Sequence, residues 1–123
     1  MKYVLLIVGG SLGTLARYAL AGLVYRLAGT SFPYGTLAVN LSGCLLIGFF
    51  AALGEQRFAL SPAARVFLMI GFCGAFTTFS TIIFETNALL SDGAFLRACA
   101  NVLVSVIAGL LLFRAGLIAG RML

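Results

Sequence analysis

Gly71-Phe72-Cys73-Gly74-Ala75-Phe76-Thr77-Thr78-Phe79-Ser80-Thr81 sits in the middle of a long apolar run, and its reading decides the fold. The run extends from about Pro62 to Leu90 and is long enough to cross a bilayer. Two glycines and four hydroxyl residues at mid-membrane weaken the helix there. A break would free backbone carbonyls and amides, which lipid tolerates only where they are buried in protein or line a cavity. Freed carbonyls can coordinate a cation, as in transporters built on broken helices. On these residues alone the alternative stays open: a continuous helix whose hydroxyls bond back to the preceding turn.

Outward from this stretch the composition names the solvent. Hydrophobic residues make up 63% of the chain and charged residues 9%, and the mean hydropathy is +1.17. A soluble domain carries roughly 25% charged residues. So few charges cannot cover a water-facing surface. The 123 residues divide into four spans at about 3–26, 35–53, 62–90 and 94–118, each near the roughly 20 apolar residues a crossing needs. The expected fold is therefore an all-α membrane protein, a single four-helix transmembrane domain with short loops.

Turn chemistry separates the spans. Gly29-Thr30-Ser31-Phe32-Pro33 ends the first. Gly54-Glu55-Gln56-Arg57 and then Ser61-Pro62 divide the second from the third, with Ser61 placed to cap and Pro62 at the first helical position. Ser91-Asp92-Gly93 turns the chain into the fourth span. The apolar run after Met1-Lys2 contains Arg17, so it reads as a retained span rather than a signal peptide. Gly9 and Gly13, and again Gly116 and Gly120, form GxxxG pairs that let backbones approach closely in lipid.

Eight Lys+Arg against three Asp+Glu give a net charge of +5. Most of these are membrane-flanking anchors. No basic run or stripe points to nucleic acid. One side of the membrane receives Lys2, Arg57, Arg65, Arg114 and Arg121; the other receives Arg26 and Arg97, with Arg17 buried toward it. This favours cytoplasmic termini, by a margin small enough to leave insertion in both orientations open. Cys44, Cys73 and Cys99 lack metal or redox spacing, and there is no histidine. No nucleophile–base or metal-ligand constellation supports an enzyme.

Polar groups inside lipid need a partner or a task. Asn40 can tie to another helix or donate to an anion. Asn101 and Ser105 are four residues apart and share a face. Arg17 is too deep to be a plain end anchor; it either snorkels or sets a positive potential at a pore mouth. Glu85 is either an interfacial carboxylate held by a neighbour or a proton-coupling group. A chain this small does not easily enclose an aqueous path alone, so conduction calls for at least a dimer.

Gly9-Gly10 through Arg17-Tyr18, Gly35-Thr36 through Asn40, and Gly71 through Thr81 resemble, in order, the three motif blocks of the CrcB/Fluc family of fluoride channels. The resemblance covers the whole chain. It implies a passive, fluoride-selective channel in the cell (inner) membrane of a bacterium, exporting fluoride from the cytoplasm to lower its toxicity. It implies an antiparallel, dual-topology homodimer whose third helix is broken at mid-membrane. It implies a structural sodium ion at the dimer centre, held by the backbone carbonyls of Gly74 and Thr77 from each subunit. The fluoride pathway then falls on Asn40, Phe79, Ser80, Thr81 and Ser105, with Arg17 at the mouth. One position departs from the pattern: Ile82 stands where the family has a second pore phenylalanine. Isoleucine has no positive ring edge to offer an anion.

Two other classes compete. A proton-coupled small multidrug-type exporter is also short and four-spanned, but wants a carboxylate early in the chain; the acids here are Glu55, Glu85 and Asp92. A structural membrane subunit without transport predicts that Asn40 and Phe79 matter for assembly and not for flux.

Overall fold

A computed structural model describes residues 1–56 and 60–123. Arg57, counted above with the second loop, lies outside the described residues. Among the described residues the chain is helical without strands. Helix α1 runs Lys2–Ala28 and α2 runs Tyr34–Glu55. The third span is composite: α3 (Pro62–Arg65), a π-helical segment (Val66–Cys73), α4 (Gly74–Phe76) and α5 (Phe79–Ser91). Helix α6 runs Phe95–Arg121. All four spans are long and apolar enough to cross a membrane.

The helix ends follow local chemistry. Ser61 caps α3, its Oγ accepting from the Ala64 amide at 3.1 Å, with Pro62 in the first turn. Gly29 (φ 84°) and Gly93 (φ 72°) take the left-handed conformation that turns the chain after α1 and α5. Arg97, in the first turn of α6, donates to the Ser31 carbonyl at 3.3 Å and ties that helix to the α1–α2 loop. On the opposite side, Gln56 donates to the Gly120 carbonyl at 3.1 Å. The Arg121–Glu55 ion pair beside it is exposed and adds little.

The most extensive pairings are not between chain neighbours. Helix α2 packs most extensively on α6, and α1 packs on the π-helical segment and α4. Both contacts are made through glycine. A Cβ on Gly9 would stand 2.7 Å from the Phe67 carbonyl and 3.1 Å from the Phe72 amide, and one on Gly13 would run into the Phe72 carbonyl. Across the other contact, a Cβ on Gly120 would stand 2.7 Å from the Phe49 carbonyl, and Gly48 and Gly116 face backbone in the same way. Both GxxxG pairs are thus spent inside the bundle, where lipid rewards close packing of backbones.

This packing changes the reading of the glycines in the third span. Gly71 is buried and helical, and its added Cβ would lie 3.2 Å from the Gly9 Cα. It is a packing residue and not the point of rupture. The break comes later, at Thr77 (φ −85°, ψ 157°) and Thr78 (φ −152°, ψ 118°), both extended.

Gly13→Ala is expected to cost about 1–3 kcal/mol, because the methyl meets backbone that cannot move aside. Gly22→Ala, where nothing lies within 4 Å, is expected to be neutral or slightly stabilising. Thermal unfolding of the two variants in detergent checks the contrast.

Candidate functional site

The break is held by one side chain. Asn40, 8% exposed on α2, accepts from the Thr78 amide through Oδ1 at 2.7 Å and donates to the Thr78 carbonyl through Nδ2 at 3.0 Å. The side-chain amide presents one acceptor and one donor, as a backbone peptide would. It satisfies both polar groups of a residue that has left the helix. The Thr78 amide would close the next helical turn on the Gly74 carbonyl if the helix continued. Here it goes to Asn40 instead. Thr78 then restarts the chain: its Oγ1 accepts from the Thr81 amide at 3.4 Å as the cap of α5 and contacts Thr81 Oγ1 at 2.9 Å. The last turn before the break is closed by Cys73, whose carbonyl accepts from both the amide and the hydroxyl of Thr77.

Two hollows flank this point. One, of about 320 Å³, is lined by Asn40, Thr77, Thr78, Phe79, Ile82 and Ser105 among others. The second, of about 430 Å³, is lined by Arg17, Thr36, Thr78, Thr81 and Glu85 among others. Thr78 belongs to both walls. The structure thus brings Asn40, Thr77, Phe79, Ile82 and Ser105 together, and sets Arg17 and Thr81 on the other side of the break. Phe79 and Ile82 line one hollow, as their helical spacing requires. Phe79 is 73% exposed. Ser80 is exposed and lies 3.4 Å from Thr78 Oγ1. Gly74 is exposed, with only the Met69 carbonyl near its Cβ direction, at 3.9 Å.

The other singled-out residues separate by partner. Asn101, 1% exposed, donates to Thr86 Oγ1 at 3.0 Å and ties α6 to α5. Ser105, one turn on, keeps a buried hydroxyl without a partner among the described residues, in the hollow with Asn40. Glu85 is held by neighbours: Oε1 accepts from Thr36 at 2.6 Å and from Tyr25 at 3.2 Å. Arg17 is half-buried on the wall of the hollow that Glu85 also lines.

Sequence reasoning missed Thr78, Thr36 and Tyr25. Thr78 is a residue type that caps helices, but nothing local sets it apart from Thr77. Thr36 and Tyr25 lie on other helices from Glu85 and carried no signal.

The family described as CrcB-like protein, Camphor Resistance (CrcB), matches residues 4–117. This chain belongs to the CrcB family. Among curated CrcB-type relatives, the "Fluoride-specific ion channel FluC" of Geobacter sp. (strain M21) is 54% identical over 93% of this chain and 92% of its own. The protein of the same name from Desulforapulum autotrophicum is 43% identical over 99% and 98%. That from Nitratidesulfovibrio vulgaris (strain DSM 19637 / Miyazaki F) is 49% identical over 98% of each. The likeness therefore runs through all four spans and both hollows.

Asn40→Ala is expected to leave the Thr78 amide and carbonyl without partners inside the bundle, at about 1–3 kcal/mol each. The variant should unfold in detergent well below the wild type. Asn101→Ala should lose less, since Thr86 keeps a hydroxyl that can turn to its own helix.

Proposed function

We propose that this protein is a passive, fluoride-selective channel of the bacterial cell membrane, through which fluoride leaves the cytoplasm and its toxicity falls. The observation that carries the reading is the end-to-end likeness to relatives named fluoride-specific ion channels. The chemistry of the hollows supports it. Fluoride is small and strongly hydrated, so a path must offer donors that replace water yet release the ion. Asn40, Thr81 and Ser105 are uncharged donors, and Ser105 has no partner among the described residues. The second amide hydrogen of Asn40 remains beyond the one given to Thr78. Arg17 raises the potential on the loop side without closing the path with a salt bridge.

Two copies of the chain, inserted in opposite directions, complete the channel in this reading. Gly74, Phe79 and Ser80 lie exposed at mid-span beside an interrupted backbone. Lipid cannot satisfy such a surface; a second copy of the same surface can. The charge asymmetry between the two sides is small enough to leave insertion both ways open.

The same surface suits a structural sodium ion. The donor set is right: hard carbonyl oxygens at the end of a helical segment, where the dipole is negative. The Thr78 amide, diverted to Asn40, does not compete for the Gly74 carbonyl. Carbonyls of Gly74 and Thr77 from both copies would hold the ion, which would fix the two broken helices against each other.

In liposomes the reconstituted protein is expected to release fluoride, read with an electrode, and not chloride; no release above empty liposomes, with the assembly intact, sinks the reading. Ile82→Phe adds a second ring edge beside Phe79 and is expected to raise the rate by up to roughly tenfold, about 1.4 kcal/mol at the barrier. Thr77→Ser leaves the carbonyls in place and should preserve dimer and flux. Gly74→Ala fits within the chain yet puts a methyl on the shared surface, and should weaken the dimer on size-exclusion chromatography and remove its dependence on sodium.

A further inference from the structure

A third hollow, of about 350 Å³, opens beside the α1–α2 and α5–α6 loops and is lined by Tyr25, Pro33, Phe84, Glu85 and Asp92 among others. It shares Tyr25 and Glu85 with the hollow that holds Arg17 and Thr81. Two hollows thus flank the break at Thr78, and the third adjoins the one that holds Arg17, toward the loops. Two hydrogen-bonded partitions divide them: Tyr25–Glu85 at the loop end and Asn40–Thr78 at the break.

We propose that Tyr25 is a positioning residue that draws Glu85 across the path and shuts the inner hollows off from the loop-side water. The inference rests on the reading of these hollows as an ion path. Three helices meet at this contact. Thr36 of α2 donates to Glu85 Oε1 at 2.6 Å and Tyr25 of α1 at 3.2 Å, while the two hydroxyls lie 3.4 Å apart. Glu85 Oε2 is buried and finds no partner among the described residues. All the hydrogen bonds to this carboxyl group therefore fall on Oε1, so losing a donor there loosens its orientation. Of the two donors, Thr36 is 7% exposed and sits on the first turns of α2, in contact with Glu85 at the shorter distance. Tyr25 reaches in from the last turns of α1, three residues from the helix end, where helices fray.

The tyrosine ring has a prepared seat. Gly35 lies beneath it: a Cβ there would collide with the ring and stand 2.8 Å from the Ala21 carbonyl. The start of α2 therefore accepts the Tyr25 ring only because position 35 lacks a side chain. The ring closes the gap between α1 and α5, and its hydroxyl fixes the carboxyl behind it. Opening needs one bond to break and one side chain to swing, a side-chain event rather than a movement of helices.

The test measures access and flux in the same liposomes. Thr81→Cys places a thiol inside the second hollow, and a charged, membrane-impermeant methanethiosulfonate reports its exposure to water. Adding Tyr25→Phe keeps the ring and removes the hydroxyl. Labelling of position 81 is expected to rise roughly tenfold or more, the factor a hydrogen bond to a carboxylate contributes. Labelling of Cys73, buried against α1, stays at its slow rate and shows that the bundle has not loosened. Glu85→Gln keeps an acceptor for Tyr25 and should leave position 81 slow. Gly35→Ala, which unseats the ring, should speed labelling as Tyr25→Phe does. Equal labelling with and without the Tyr25 hydroxyl overturns the partition, even if the wild type conducts fluoride. A wild type that passes no fluoride while Tyr25→Phe still opens position 81 overturns the conduction reading and leaves the partition standing.

Discussion

A peptide group released from a helix in the middle of a membrane must find another partner, and the bundle is arranged around the one that Asn40 provides. The exchange between the Asn40 amide and the Thr78 backbone replaces the hydrogen bonds that an unbroken helix would make. It fixes where the third span stops and restarts, and so the direction of α5. That direction sets Phe79 and Ile82 in one hollow with Ser105, and Thr81 and Glu85 in another with Arg17. A polar side chain buried in lipid is costly unless its bonds are made. Here the cost is offset because side chain and broken backbone satisfy each other.

Glycine supplies the second condition. Asn40 reaches Thr78 only if α2 lies close to the third span, and Gly43, one turn beyond Asn40, faces the Thr77 side chain with no room for a Cβ. Gly9 and Gly13 bring α1 onto backbone atoms of the π-helical segment, including the Phe67 and Phe72 carbonyls. The wide turns of that segment and the break after it thus lie in one stretch supported from two sides by helices that carry no side chain at the contact. Irregular helix at membrane depth survives where neighbours hold it.

Much of this was legible in the sequence, and the parts that were not share a cause. Hydropathy and turn residues set out the four helical spans, and Ser61-Pro62 marked the start of the third with its cap. The Gly/Thr-rich run marked a weak helix. It did not mark the residue at which the helix gives way, because Gly71 and Thr78 look alike as local weaknesses and are separated only by what packs on them. Gly71 meets Gly9 and stays helical; Thr78 meets Asn40, 38 residues away, and leaves the helix. The ties of Tyr25 and Thr36 to Glu85 join positions 60 and 49 residues apart, and no periodicity within one helix encodes such a meeting. Ile82 was visible as a departure from the family's pattern on sequence alone, and its place beside Phe79 gives that departure a location.

The order of packing also bears on how the chain comes together. Helix α1 pairs with the third span and α2 with α6, so each pair is interleaved with the other. During synthesis α2 enters the bilayer with its Gly48 face uncovered and keeps it so until the last helix arrives. Helix α1 also touches α2, and α5 touches α6, but the largest interface of α2 waits for the last helix. Assembly is therefore completed late, and a nascent chain waiting for α6 exposes a glycine face that fits the α6 of any identical chain emerging nearby.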